Sequence, residues 1–453
     1  MNRHTMTMRF LLWLALAALA AGCAHAPPTV VPEAAPHSAD AAQADWWAGF
    51  GDAGLQAAVA AVQARNHDLA AASARARQAE AQARIDGALL WPAVTASLGA
   101  RRDHRLGGNA MVAGASHAIG LAASYEVDLW GRQRATQRGA LEDLRASCFD
   151  LAALRIGASA GVASAWLRAA GLQERVAIAR LNQRDAERLL ALIEARHLAG
   201  AATPLELEQQ RGIVAAQRRT ADALREAEAD SRVELAAWLG EREPVAPLAP
   251  GSLERLRPPR VDVGLRSELL LRRPDIARAE ARLAAADARV EAARAAMFPS
   301  LVLTAALGSA DGRLRGLFDN PVYGIGAALA APIFDAGRLA AGRDLAQARR
   351  EELLADYRAA IVNAFADTQT ALHAVEGLEA QIASQAGELA AAVRSRVLAE
   401  TRYRAGAESL ITLLDAQRTL HAAQDHAAQL RMARLQASVG LYRALGGGWR
   451  AGD

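Results

Sequence analysis

The chain has 453 residues, of which 52% are hydrophobic and only 4% aromatic, and its formal net charge is +3. Its alanine-rich, aromatic-poor composition suits closely packed helices better than one bulky globular core. All 52 basic residues are arginine, and no cluster of them interleaves with aromatics, which excludes nucleic acid as a partner.

The amino terminus reads as an export signal. Arg3 and Arg9 precede an apolar run, 10–20, that is too short to span a bilayer. Ala20-Ala21-Gly22-Cys23 then resembles a bacterial lipoprotein box, although Leu19 sits one position earlier than the usual leucine. The resemblance implies that residues 1–22 are removed and that Cys23 becomes the acylated first residue. Loss of Arg3 and Arg9 lowers the formal charge from +3 to +1 (3 minus 2). Ala24 in place of an aspartate after the cysteine implies the outer membrane, by resemblance to enterobacterial lipoproteins. With Cys23 acylated, Cys148 has no partner for a disulfide within the chain. Residues 23–44, with Pro27, Pro28, Pro32 and Pro36, read as an extended tether.

The folded part divides into two copies of one plan, 45–243 and 264–447, joined by a Pro-rich connector at 244–263 and followed by a tail at 448–453. In the first copy a helix-permissive stretch, 55–90, ends at Trp91-Pro92, where proline blocks continuation. Two alternating segments follow, at about 93–103 and 117–129. In the first, Val94, Ala96, Leu98 and Ala100 alternate with Thr95, Ser97, Gly99 and Arg101. In the second, Ile119, Leu121, Ala123, Tyr125, Val127 and Leu129 oppose Gly120, Ala122, Ser124, Glu126 and Asp128. Period-two alternation over roughly ten residues is the pattern of a tilted strand crossing a bilayer with one oily and one wet face. Gly131-Arg132 then opens a helix predicted over about 131–198, which at about 1.5 Å per residue approaches 100 Å. It breaks around Gly200, and a return helix is predicted over 204–239.

The second copy repeats this order. Pro274 starts a helix. Strands are predicted at 300–309 and 321–333, a long helix at 335–405 and a return helix at 408–445. Ile361, Phe365, Thr368, Leu372 and Val375 step by four and three, as in a coiled-coil seam. The spacing between copies is constant: 337 minus 131, 406 minus 200 and 446 minus 240 are each 206. Register held over that distance marks a duplicated unit.

Four strands cannot close a barrel, and an open sheet edge in lipid leaves backbone groups unpaired at several kcal/mol each. The strands must therefore pair with those of sister chains. Eight would enclose only side chains, whereas twelve leave a lumen, and small wet-face residues fit the open version.

These residues amount to a family resemblance. Asp45-Trp46-Trp47 with Phe50, Asn66-His67-Asp68-Leu69 and Glu126-Val127-Asp128-Leu129-Trp130-Gly131-Arg132 resemble the first half of TolC-like outer-membrane efflux proteins. Arg272-Arg273-Pro274-Asp275-Ile276, Phe298-Pro299, Pro332-Ile333-Phe334-Asp335, Gly337-Arg338, Tyr403-Arg404-Ala405-Gly406 and Leu413-Leu414-Asp415-Ala416-Gln417-Arg418 resemble the second. The resemblance covers roughly 45–447, and lipidation places it near the NodT-type branch. It implies a mainly helical fold with membrane strands: a homotrimer with a twelve-stranded outer-membrane barrel and a periplasmic coiled-coil tunnel. A periplasmic membrane-fusion adaptor and an inner-membrane pump of the resistance-nodulation-division type would meet its far end. No cofactor or resident metal is implied.

Carried over by position, the resemblance assigns a periplasmic gate to Ile411, as an apolar ring, and Asp415, as a ring of mutually repelling carboxylates that attracts cations. The repeat-one positions are Leu205 and Gln209, so repeat two should dominate the constriction. Gly200, Thr203, Leu205, Gly406, Ser409 and Leu410 are the expected adaptor contacts. Thr203 also suits a helix N-cap, with Pro204 at the first helical position. No HExxH, nucleophile elbow, Walker loop or CxxC is present, so no enzyme is expected. A periplasmic coiled-coil scaffold lipoprotein is the rival reading, and it leaves the four alternating segments unexplained. The same channel fold serving metal-ion export or type I protein secretion also stays open.

Overall fold

The computed structural model describes residues 46–109, 111, 114–248, 252–259 and 272–449. The leader, Cys23, the tether, the start of the second repeat at 264–271 and the chain from 450 onward lie outside them, as do 249–251 and 260–263 of the connector.

Among the described residues, the chain forms seven helices of more than one turn and four strands. Helix α1 is Ala53–Arg65 and α2 is His67–Ala88. Strands β1, Ala93–Arg102, and β2, Ala115–Val127, lead into α3, Arg132–Leu198, and its return helix α4, Pro204–Leu239. After a single turn at Ser252–Arg255, the order repeats with α5, Pro274–Ala295, β3, Ser300–Asp311, and β4, Pro321–Ala330. It ends with α6, Arg338–Arg404, and α7, Leu410–Ala444. Helices α3 and α6 are 67 residues each, about 100 Å. The two copies keep their spacing to within one residue on either side of the strands: α5 starts 207 residues after α2 (274 minus 67), and α6 starts 206 after α3 (338 minus 132).

The ends of the elements have local causes. β2 stops at Val127, before the expected 129, because the next carboxylate turns to cap α3. Asp128 accepts from the Gln133 and Arg134 amides at 2.9 and 3.1 Å. Asp335 does the same for α6, accepting from the Gly337 and Leu339 amides at 3.0 Å each. Gly131, expected as a first helical residue, and Gly337, expected inside the second long helix, are instead the N-caps, with φ of 77° and 82° and no side-chain oxygen to offer. The aspartates supply what these glycines lack. β4 ends at Ala330 rather than 333, and α6 begins at 338 rather than 335, because 331–337 carry Pro332 and this cap.

The main core lies where α1 packs against α3 and α4. It holds Trp47, Phe50, Leu55, Val162, Trp166, Leu167, Leu235 and Tyr442. Trp46 stacks on Tyr442 with ring centroids 4.0 Å apart, so the aromatic start of the folded chain is pinned to the end of α7. Burial pushes the Tyr442 phenol well above its usual range, and its hydroxyl donates to the Gly447 carbonyl at 2.7 Å. In the seam of α6, Thr368 is buried, and Phe365, Leu372 and Val375 pack around Leu441 and Leu445.

Both return helices are closed by the same sequence position. Asn66 donates to the Trp238 carbonyl at 3.2 Å, and Arg273 donates to the Ala444 carbonyl at 3.1 Å. The donors are 207 apart (273 minus 66) and the acceptors 206 apart (444 minus 238).

Candidate functional site

The four strands form one antiparallel sheet in the order β1-β2-β3-β4. Its register gathers most of the large apolar residues onto one face, leaving Val302 and Val322 on the other. Leu98 faces Ile119, Ala96 faces Leu121, Leu121 faces Leu307 and Leu307 faces Tyr323. The opposite face brings Thr95 against Ala122, Ser97 against Gly120, Gly120 against Gly308 and Thr304 against Gly326. A one-residue slip in any pair would mix the faces. Among the described residues no helix covers the sheet: all ten residues of β1 and all ten of β4 are exposed. Leu98, Ile325 and Leu329 are 76%, 83% and 69% exposed in the isolated subunit, a price in water that only another apolar medium removes.

At the other end of the long helices lies the tip. Gly200 and Gly406 both adopt φ of 72°, each the left-handed residue that ends a long helix. Thr203 caps α4 in a capping box: its hydroxyl accepts from the Glu206 amide at 3.2 Å, and the Glu206 carboxylate accepts from the Thr203 amide at 2.7 Å. Ser409 caps α7, accepting from the Thr412 amide at 3.3 Å. Beneath these turns a small core of Leu189, Ile193, Leu207, Tyr403, Leu410 and Leu413 holds the four helices together. The Arg196 guanidinium lies over the Tyr403 ring, 4.8 Å from its centroid.

The tip sorts the expected contact residues. Gly200, Thr203, Leu205, Gly406 and Ser409 are exposed. Leu410 is not: at 2% exposure it belongs to the tip core, so its expected place on the adaptor surface is corrected. The helical period turns Leu410 inward and Ile411 outward. Ile411 and its repeat-one counterpart Leu205 are each 65% exposed. Asp415 lies one turn beyond Ile411, on a groove between α4 and α7 that Gln209, Ile213, Gln217 and His421 also line. Sequence reasoning missed its neighbour: the Asp415 carboxylate accepts from Arg418, with both side chains mostly exposed. An aspartate three residues before an arginine on a predicted helix was the available signal. Deeper along the groove, burial pushes His421 below its usual range, and the Arg175 guanidinium forks onto Asp425 at 2.7 and 3.0 Å.

One subunit thus presents a lipid-suited, two-faced sheet with free edges and, at the far end of two helices of about 100 Å, a tip carrying paired apolar and carboxylate residues. Among the described residues no group of histidine, cysteine and carboxylate side chains could hold a metal ion. Pyoverdine export outer membrane protein OpmQ of Pseudomonas aeruginosa is 49% identical over 415 residues, covering 90% of this chain and 88% of that protein. Cation efflux system protein CusC of Escherichia coli O157:H7 is 30% identical over 410 residues, covering 90% and 89%. The crystal structure of the open state of the Neisseria gonorrhoeae MtrE outer membrane channel matches with a TM-score of 0.80 at 29% identity, covering 88% of this chain and 90% of that one. The outer membrane efflux protein model itself matches twice, at 58–241 and 265–447, one match on each copy of the repeat, and the chain belongs to that family.

Proposed function

We propose that three copies of this chain form the outer-membrane exit duct of a tripartite pump. Their twelve strands close one barrel, and α3, α4, α6 and α7 of each copy hang beneath it as a periplasmic tunnel. The observation that carries this reading is the sheet: nearly all its large apolar side chains share one face, with Val302 and Val322 the exceptions, and β1 and β4 are left as free edges. An adaptor and an inner-membrane pump of the resistance-nodulation-division type engage the tip through Gly200, Thr203, Leu205, Gly406 and Ser409. The duct is passive and performs no chemistry of its own. Cys23 carries acyl chains that hold the mature amino terminus in the membrane. Radiolabelled palmitate should enter the wild-type chain and not the Cys23→Ser variant, and label in the variant would contradict the lipid anchor.

The gate is Ile411 and Asp415. Three Ile411 side chains around a narrow axis make a dewetting constriction, and three Asp415 carboxylates one turn away favour cations. Arg418 tempers that preference by pairing with Asp415. Asp415→Ala should therefore do two things in planar bilayers: raise the single-channel conductance severalfold and weaken cation selectivity, because Arg418 loses its partner. Unchanged conductance and selectivity would remove Asp415 from the gate.

For cargo, the higher identity to a pyoverdine exporter than to a cation-efflux channel supports a secreted, peptide-like iron chelator. Deleting the gene in a chelator-producing host should lower extracellular siderophore and leave it in the periplasm. Undiminished secretion, with sensitivity to other pump substrates raised, would reassign the cargo without touching the channel.

A further inference from the structure

The sheet is bounded differently at its two ends. At the helix end stand Trp91 and Trp130, 72% and 51% exposed. Trp130 stacks on Phe298 at 4.8 Å and donates its indole N–H to the Pro299 carbonyl at 2.7 Å. Amphipathic rings of this kind mark a membrane–water boundary. At the loop end the boundary is cationic. Strand alternation places Arg102 on the apolar face, two residues beyond Ala100 and opposite Ala115, and His117 joins it opposite Ala100. Arg313 and Arg315, on the loop between β3 and β4, are also exposed.

The nearby carboxylates, Asp103, Asp311 and Asp319, are outnumbered, and none forms an ion pair with Arg102, Arg313 or Arg315 among the described residues. Asp103 binds Arg101, which lies on the opposite, wet face. Asp311, opposite His117, accepts from the Arg313 backbone amide at 2.7 Å. Among the described residues, Arg102, Arg313 and Arg315 have no carboxylate partner. From Ala93 to Arg102 the strand rises over nine residues (102 minus 93), about 30 Å, or about 23 Å of depth at a tilt near 40°. That depth matches a hydrocarbon core, so the arginines sit at the outer headgroups.

We propose that this arginine belt binds phosphorylated lipids of the outer leaflet, with acyl chains lying along the apolar face and phosphate groups held at Arg102, Arg313 and Arg315. The inference rests on the barrel reading above. β1 and β4 are the free edges, so closure sets Arg102 of one copy beside the β3–β4 loop of the next, and each site is completed across a subunit boundary. Guanidinium forks match phosphate oxygens two at a time, which suits arginine to this ligand.

The test uses the full mature chain in detergent, titrated with bisphosphorylated lipid A or with the same lipid after phosphatase treatment and read by native mass spectrometry. At about fivefold per arginine near a phosphate surface, the wild-type trimer should retain the phosphorylated form roughly 100-fold more tightly. The variant R102Q/R313Q/R315Q should stay trimeric and lose that preference. Equal retention of both lipids by the wild type would overturn the proposal, as would a preference that survives in the variant. If the variant fails to assemble, the wild-type comparison alone decides. A wild-type chain that gives no trimer would instead sink the channel reading, and the lipid site with it.

Discussion

Leu98→Arg should abolish assembly of the mature chain, whereas Ser97→Arg, one residue earlier, should leave it intact. Leu98 lies near the middle of the sheet's apolar face, and Ser97 lies opposite Gly120 on the wet face. An arginine at the bilayer midplane of a membrane barrel costs about 2–4 kcal/mol. Three copies multiply this to about 6–12 kcal/mol per trimer, comparable with the whole stability of a domain. At Ser97 the added side chain would enter a water-filled lumen lined by glycine, alanine, serine and threonine. It should shift selectivity toward anions and cost little. The yield of heat-modifiable oligomer from outer membranes reads both variants. Equal yields would mean that neither face meets lipid, and the sheet would be a soluble hairpin pair.

Arg273→Ala should destabilise the helical part by about 1.5–3 kcal/mol, the range for hydrogen bonds to a charged group. The Arg273 side chain is 10% exposed. Its guanidinium donates to the Ala364 and Ala444 carbonyls at 3.3 and 3.1 Å and forks onto Asp275 at 3.0 and 2.7 Å. It also reaches Asp367 at 3.2 Å. Alanine would leave the Ala364 and Ala444 carbonyls to share the Thr368 hydroxyl, at 2.9 and 3.3 Å, and would take the charged partner from Asp275, which keeps the Ile276 amide. Lysine should recover only part of the loss, because a single ammonium cannot reproduce the fork. Burial acts to raise the Asp275 carboxyl, but hydrogen bonding and the Arg273 charge outweigh it and hold it below the usual range. A depressed carboxylate contributes stability that is fully present above its unfolded value, about 3.9, and is lost as pH falls through the lower folded value. Wild type should therefore resist acid to lower pH than Arg273→Ala in thermal melts followed by helical circular dichroism. A melting shift equivalent to less than 1 kcal/mol, with unchanged acid sensitivity, would contradict this account.

The sheet was legible in the sequence because a wet lumen and an oily bilayer impose opposite demands on successive residues. Ile119 through Val127 spell that alternation out. The long helices were legible through the constant spacing of Gly131, Gly200 and Gly240 from Gly337, Gly406 and Gly446. Less legible was why Asp128 and Asp335 precede those opening glycines. Their carboxylates reach several residues ahead to the first free amides of a helix whose N-cap has no side chain, and that reach depends on the turn's geometry. The inward turn of Leu410 was missed for a related reason. At a helix start, one residue of phase separates a buried position from the exposed Ile411, and phase is set by the Ser409 cap. Asp415 was found by resemblance, but its pairing with Arg418 required the α7 surface. The equivalence of Asn66 and Arg273 joins unlike side chains, so only their shared acceptors at Trp238 and Ala444 reveal it.

The mass of the mature chain extracted from outer membranes in mild detergent is the most direct test of the whole picture. Light scattering corrected for bound detergent should give one species of three chains, the number whose sheets close a twelve-stranded barrel. A monomer that stays in solution without detergent would contradict it.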